Sequence, residues 1–269
     1  MVIDLRSGLP VADTETPSRG IARPTLVRVI DDEFEDAVPK KHSEAAEPIK
    51  NLDDINRISQ HLIDTQRYRD NLLFICGINF GLRISDLLEL KVGHLLNTDG
   101  RSYRSRVQVQ EKKTGNVRTL FPNDSVMDAA DLYFGYLTSK REPISLNDYL
   151  FQSYSNKGKN MEHNNLKRRS VERILKEVIN DELGIPVKAS THCLRKTFAY
   201  QVIMNAKDRS RAIEFLQKIF GHSSQQVTLH YAGITDDEIQ DMYQNLNLGR
   251  LDSWNISTGL TVIGTKEPA

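Results

Sequence analysis

Arg83 in GLRISD (81–86), His192 and Arg195 in HCLRKTFAY (192–200), and His222 and Tyr231 in FGHSSQQVTLHY (220–231) give one chain two guanidinium groups, two imidazoles and a phenol. Together they suit attack on a phosphodiester. A phosphate passing through a five-coordinate state carries its charge on oxygens that need fixed, always-protonated donors, and arginine supplies these as a planar fork. Histidine moves protons or donates hydrogen bonds near neutral pH. A tyrosine oxygen can take up the phosphorus as a covalent intermediate. No fragment alone is specific, because arginine and histidine at helical spacing usually lie on a solvated face. The combination carries the argument.

These side chains need elements to hold them. From Asn51 the apolar positions Ile55, Ile58, Leu62 and Ile63 recur at helical spacing, and Leu72–Ile75 lead to Gly77 and Gly81. ISDLLELKV predicts a short helix from about Ser85, with Arg83 at or just before its N-terminus, where backbone amides also favour an anion. Asp86 is either a partner that orients Arg83 or a helix-start carboxylate. Residues 103–121 alternate polar and apolar around T-G-N, a hairpin signal with Lys113 at its tip. Residues 123–140 and 164–182 read as amphipathic helices, and 143–160 as a polar loop. THCLRKTFAYQVIMNA reads as a helix with Thr191 as N-cap and with His192 and Arg195 on one face. Gly221 ends the next helix, His222 sits in the following turn, and a short segment delivers Tyr231. His230 beside it points elsewhere, because adjacent helical residues diverge. Residues 234–249 open with T-D-D-E and form a last amphipathic helix. The fold class expected is mainly α with a small antiparallel β-sheet, α+β.

Arginine, then H-x-x-R, then a G-H-S block followed nine residues later by tyrosine is a pattern that resembles the tyrosine recombinase, or phage integrase, family. The resemblance runs from Ile55 to Leu246 and implies that family's catalytic-domain fold. It also implies a site-specific recombinase that cuts and rejoins double-stranded DNA through a 3′-phosphotyrosyl link. Tyr231 would be the nucleophile, with Arg83, His192, Arg195 and His222 around the phosphate. A family lysine on a β-hairpin, often in K-T-G, protonates the leaving 5′ oxygen and matches Lys113, with Lys112 the competing candidate. The family most often has histidine where Lys196 stands, which puts a proton role there in doubt. Its members usually add a helical core-binding domain, for which residues 1–48 are too short, so the chain looks like the short invertase and resolvase members. Partners expected on this basis are a homotetramer in the synaptic complex, with the 234–249 helix docking into a neighbour, and an accessory protein in place of the missing clamp. The rivals are a type IB topoisomerase and an accessory DNA-binding protein with a relic site.

Composition bounds the rest. A 39% apolar share over 269 residues is enough for a sizeable core. No run approaches a membrane span and no secretory segment opens the chain, so the expected location is cytoplasmic. Cys76 and Cys193 lack disulfide or ligand spacing and are expected to be reduced and structural. Net charge is zero, yet residues 1–48 hold 6 basic against 10 acidic residues and residues 49–250 hold 29 against 24. The expected domains are therefore a flexible acidic, proline-containing segment (1–48), a basic catalytic domain (49–250) and a tail (251–269). Arg101, Arg104, Arg106, Lys112, Lys113 and Arg118, and then Lys167, Arg168, Arg169, Arg173 and Lys176, form two basic stretches suited to tracking phosphates. Neither a Walker motif nor a two-metal carboxylate pattern is present, so no cofactor and no metal are expected.

Overall fold

A computed structural model describes residues 46–153 and 165–234. Within them the order is α1 (Leu52–Asp64), α2 (Tyr68–Phe80), α3 (Ile84–Leu87), α4 (Val92–Leu95), β1 (Val107–Gln110), β2 (Val117–Leu120), α5 (Asp124–Ser139), α6 (Arg168–Lys176), α7 (Thr191–Met204), α8 (Arg209–Phe220) and α9 (Gln225–Ala232). The chain is thus mainly helical with one antiparallel hairpin, in which Val107 pairs with Leu120 and Gln110 with Val117. The N-terminal segment before residue 46, the expected 234–249 helix beyond its first residue and the tail lie outside the described residues. None of the described helices is long and apolar enough to cross a membrane.

α2 is the centre because its apolar residues occupy every side. Leu72, Leu73, Phe74, Ile75, Cys76 and Phe80 are all buried, each large one contributing about 1.5–3 kcal/mol over leaving it exposed. α1 lies against it through Ile58 and Leu62, capped by the Asn51 side chain accepting from the Asp53 N–H at 2.8 Å. α5 covers another side with Val126, Ala129, Ala130, Tyr133 and Leu137. α7 covers a third, and Gly77 permits its close approach: a Cβ there would stand 2.6 Å from Leu194 Cδ1.

α7 joins two cores. Cys193 and Leu194 belong to the large one around α2. Ala199 and Ile203 belong to a smaller one completed by Leu216 and Phe220 of α8 and Ala232 of α9. The leading segment is pinned to this helix, the Ile49 N–H donating to Thr197 Oγ1 at 2.8 Å. Both cysteines are free and buried, and burial pushes the Cys193 thiol up to about 11.

Two expected boundaries differ. Ser190, not Thr191, caps α7, because its extended backbone brings the hydroxyl to the His192 N–H, leaving Thr191 as the first helical residue. The helix expected over 164–182 is α-helical only from Arg168 to Lys176 and continues as a π-helical turn, Glu177–Glu182. The wider turn keeps Val178 and Ile179 in the core.

Gly81 is held at φ 55°, and a Cβ there would meet Phe198 Cδ1 at 2.2 Å. Gly115 has φ 70° and open space. Chemical denaturation should therefore show Gly81→Ala costing about 2 kcal/mol or more and Gly115→Ala only about 1 kcal/mol. Equal costs would mean that Phe198 yields freely.

Candidate active site

The site begins where α2 ends. Gly81 takes the left-handed conformation and turns the chain so that Arg83, extended at φ −65° and ψ 147°, occupies the N-cap position of α3. Asp86 stands in the first turn of α3, as a helix-start carboxylate would, and its side chain makes no hydrogen bond to Arg83. It is buried, and its Oδ1 accepts the backbone N–H of Lys112 at 3.0 Å, so it ties α3 to the hairpin. The carboxylate that meets Arg83 is Glu111, whose Oε2 accepts from Arg83 Nη1. The sequence reading missed Glu111. Its only signal was its place two residues before Lys113 in a turn facing the arginine loop.

α7 brings Arg195 in from the other side. Only 4% exposed, its guanidinium donates from Nη1 to the Gly81 carbonyl at 2.8 Å and lies over the Phe220 ring at 4.1 Å from the centroid. Burial lowers its pKa, as does the neighbouring Arg83, while Tyr231 and Glu111 oppose that shift. His192, one turn earlier, is exposed at the start of the helix. Partial desolvation and then Arg168, Arg195 and Lys196 lower its pKa, so it is neutral at neutral pH.

α8 ends on Gly221 at φ 68°, and the reversal presents His222. Ser224 caps α9, its Oγ accepting from the Val227 N–H, and α9 carries Tyr231. Three rings then meet edge to face: Phe220 with Tyr231 at 5.4 Å, Phe220 with His222 at 5.3 Å, and His222 with Tyr231 at 5.1 Å between centroids. His222 Nδ1 lies 3.1 Å from Thr228 Oγ1, whose own hydrogen is directed to the Ser224 carbonyl at 3.2 Å. That arrangement assigns the proton of neutral His222 to Nδ1 and leaves Nε2 as an acceptor. Burial, then Arg195 and Arg83, lower the His222 pKa.

Tyr231 is the most consequential case. Burial raises its pKa, and the Arg195 and Arg83 charges, which favour the phenolate, do not outweigh it. The phenol is therefore protonated in the free protein. Lys196, standing where the family pattern has histidine, holds its ammonium 5.5 Å from the Tyr231 ring centroid. His230 is exposed on the far side of the helix turn, as its adjacency to Tyr231 requires.

The hairpin separates the two candidate lysines. Lys112 Nζ is paired with Glu89 Oε1 at 2.7 Å. Lys113 is exposed in the turn between β1 and β2 and has no ion-pair partner among the described residues. Arg118, expected in the basic surface stretch, instead turns its guanidinium onto the Phe80 and Gly81 carbonyls and lies over Phe198. Burial lowers its pKa to about 10. The cations of the other basic stretch, Lys167, Arg168, Arg169, Arg173 and Lys176, are all exposed, while Val171, Ile174 and Leu175 of the same helix are buried. Of the six predicted site residues, then, Arg83, Arg195, His222 and Tyr231 lie within electrostatic reach of one another, His192 stands at the edge, and Lys113 is on the hairpin clasped to Arg83 through Glu111. No group of three or more His, Cys, Asp or Glu side chains among the described residues converges as a metal would need.

Comparison with known proteins places the chain in a family and a fold. Residues 50–238 match the phage integrase family, more than half of the chain. The chain is 33% identical over 202 residues to the probable integrase/recombinase YoeC of Bacillus subtilis strain 168, covering 74% of this chain and 95% of that protein. It is 27% identical over 188 residues to the tyrosine recombinase XerA of Pyrococcus furiosus, covering 70% of this chain and 58% of XerA. Among solved structures, XerA recombinase superposes with a TM-score of 0.54 at 24% identity, over 75% of this chain and 66% of that one. XerH site-specific recombinase bound to palindromic difH superposes with a TM-score of 0.53 at 16% identity, over 74% and 53%. These two likenesses speak for the fold. The chain belongs to the phage integrase, or tyrosine recombinase, family of enzymes that break and rejoin DNA.

Proposed function

We propose that this chain binds double-stranded DNA and exchanges its strands site-specifically through a 3′-phosphotyrosyl intermediate. The observation that carries this is the meeting of Tyr231, His222 and Arg195 around the Phe220 ring, with Arg83 within electrostatic reach. Tyr231 Oη attacks phosphorus and the P–O5′ bond breaks. The phenol proton passes to His222 Nε2, and the Lys113 ammonium gives a proton to O5′. Arg83 and Arg195 hold the non-bridging oxygens, with His192 as a further donor at the edge. A 5′ hydroxyl from a second strand then reverses the step, restoring the phenol and releasing the protein. The ester keeps the energy of the broken bond, so no nucleotide is consumed.

The catalytic unit is residues 49–250. Each chain carries one nucleophile, and exchanging two duplexes requires four cleavages, so the acting assembly is a homotetramer in the synaptic complex. The exposed cations Lys167, Arg168, Arg169, Arg173 and Lys176 support phosphate tracking along the duplex, and an accessory protein helps to clamp it. The same chemistry serves integration, excision, inversion and multimer resolution.

Three measurements follow. Duplex DNA from the flanks of the gene in its native replicon, nicked and incubated with the protein, should yield a protein-linked strand on a denaturing gel, and Tyr231→Phe should abolish it. A Phe variant that still traps DNA sinks the nucleophile assignment. Arg83→Ala should slow single-turnover adduct formation by on the order of a hundredfold, about 3 kcal/mol. With His222 held below the ordinary histidine value of about 6.5, the single-turnover rate should stay level from pH 8 to 6.5 and decline only in more acid solution. A rate already falling between pH 8 and 7 would remove neutral His222 as the proton acceptor.

A further inference from the structure

Glu111 is buried, 4% exposed, and stands beside the Arg83 and Arg195 charges. Its Oε2 accepts from two donors at once, Arg83 Nη1 and Thr114 Oγ1, the latter at 2.8 Å. Thr114 directly follows Lys113 in the hairpin turn, and the Gly115 N–H closes back on the Glu111 carbonyl at 2.8 Å. One carboxylate oxygen therefore joins the turn that carries Lys113 to the guanidinium of Arg83. Two further ties lock the same turn: the Lys112 N–H to Asp86 Oδ1 at 3.0 Å and Lys112 Nζ to Glu89 Oε1 at 2.7 Å.

We infer that Glu111 is a positioning residue: it fastens the Lys113 turn to Arg83, so that the proton donor for the leaving oxygen and the phosphate-binding arginine are held in register before DNA arrives. Stability is a poor explanation for this carboxylate. Its second oxygen, Oε1, is buried without a hydrogen-bond partner, and a buried ion pair with an unsatisfied oxygen gives weak net stabilisation. Arg83 is anchored at the start of α3 and keeps Nη2 and Nε uncommitted among the described residues, so it serves as the fixed post for the turn while leaving two donors for phosphate. On the other side, Lys113 Nζ has no ion-pair partner among the described residues, while Glu89 is paired with Lys112. The other two ties hold Lys112, on the near side of Lys113; on the far side only the Thr114 hydroxyl bond to Glu111 fastens the exposed turn to the arginine loop.

This rests on the strand-cleavage reading above, and the leaving group separates the two. When sulfur replaces the bridging 5′ oxygen, the P–S bond breaks to a thiolate that needs no proton, thiols being acidic near pH 8.5. Nicked duplexes with bridging oxygen and with bridging sulfur are cleaved in single turnover by wild type, Glu111→Ala, Glu111→Gln and Lys113→Ala, with thermal melting to verify that each variant is folded. Glu111→Ala should lose roughly ten- to a hundredfold on oxygen and less than about threefold on sulfur, the pattern of Lys113→Ala. Glu111→Gln should recover part of the loss, because its amide oxygen still accepts from Thr114 and Arg83. Equal losses of Glu111→Ala on both substrates, or none on either, overturn the positioning role while wild type still cleaves. A wild-type protein that forms no adduct with either substrate overturns the cleavage reading, and this inference with it.

Discussion

The carbonyl oxygen of Gly81 receives two guanidinium groups, Arg195 at 2.8 Å and Arg118 at 3.1 Å. Everything at the site is arranged around that shared acceptor. A buried and a half-buried cation beside each other repel, and desolvation lowers the pKa of both. The last carbonyls of α2, at the negative end of its dipole, offset that cost, which is why Phe80 and Gly81 lie where they do. Gly81 can present its carbonyl this way because it alone tolerates the left-handed turn against Phe198. Two residues later the same turn delivers Arg83 to the start of α3.

Phe220 does for Tyr231 what Gly81 does for the arginines. One face of its ring carries the Arg195 guanidinium, and its edges meet His222 and Tyr231. A cation over an aromatic ring retains attraction in a desolvated setting where a water shell is lost. Packing in the smaller core thereby sets the spacing of three polar groups that otherwise belong to three different helices and turns. Because burial dominates the Tyr231 phenol, its proton stays in place in the free protein despite two nearby arginines. In the proposed cleavage step that proton passes to His222, which lies 5.1 Å away between ring centroids.

The hairpin shows how far spacing alone reaches. Its alternation, the breaker T-G-N and Lys113 in the turn were legible as local chemistry, and β1 and β2 form around that turn. The choice between Lys112 and Lys113 was not legible, since both are long cations in the same exposed turn. Glu89, over twenty residues away in sequence, pairs with Lys112 and leaves Lys113 without an ion-pair partner among the described residues. Arg118 shows the converse. Among arginines of one basic stretch it reads as surface, yet it is committed to helix-end carbonyls.

Local pattern determined the helices around Ile58, Phe74 and Val126, the glycine that ends α8, the one-face placement of His192 and Arg195, and the nine-residue interval between His222 and Tyr231. Those features depend on backbone sterics and on periodicity within about fifteen residues, which a sequence displays directly. Tertiary structure alone decided that Glu111 rather than Asp86 meets Arg83, that Lys112 is occupied, and that the Tyr231 phenol is held neutral. Each of those depends on which charges and rings converge across long stretches of chain, and on how much water they lose in doing so. Desolvation and Coulomb interaction act through distance in space, and distance along the chain does not encode it.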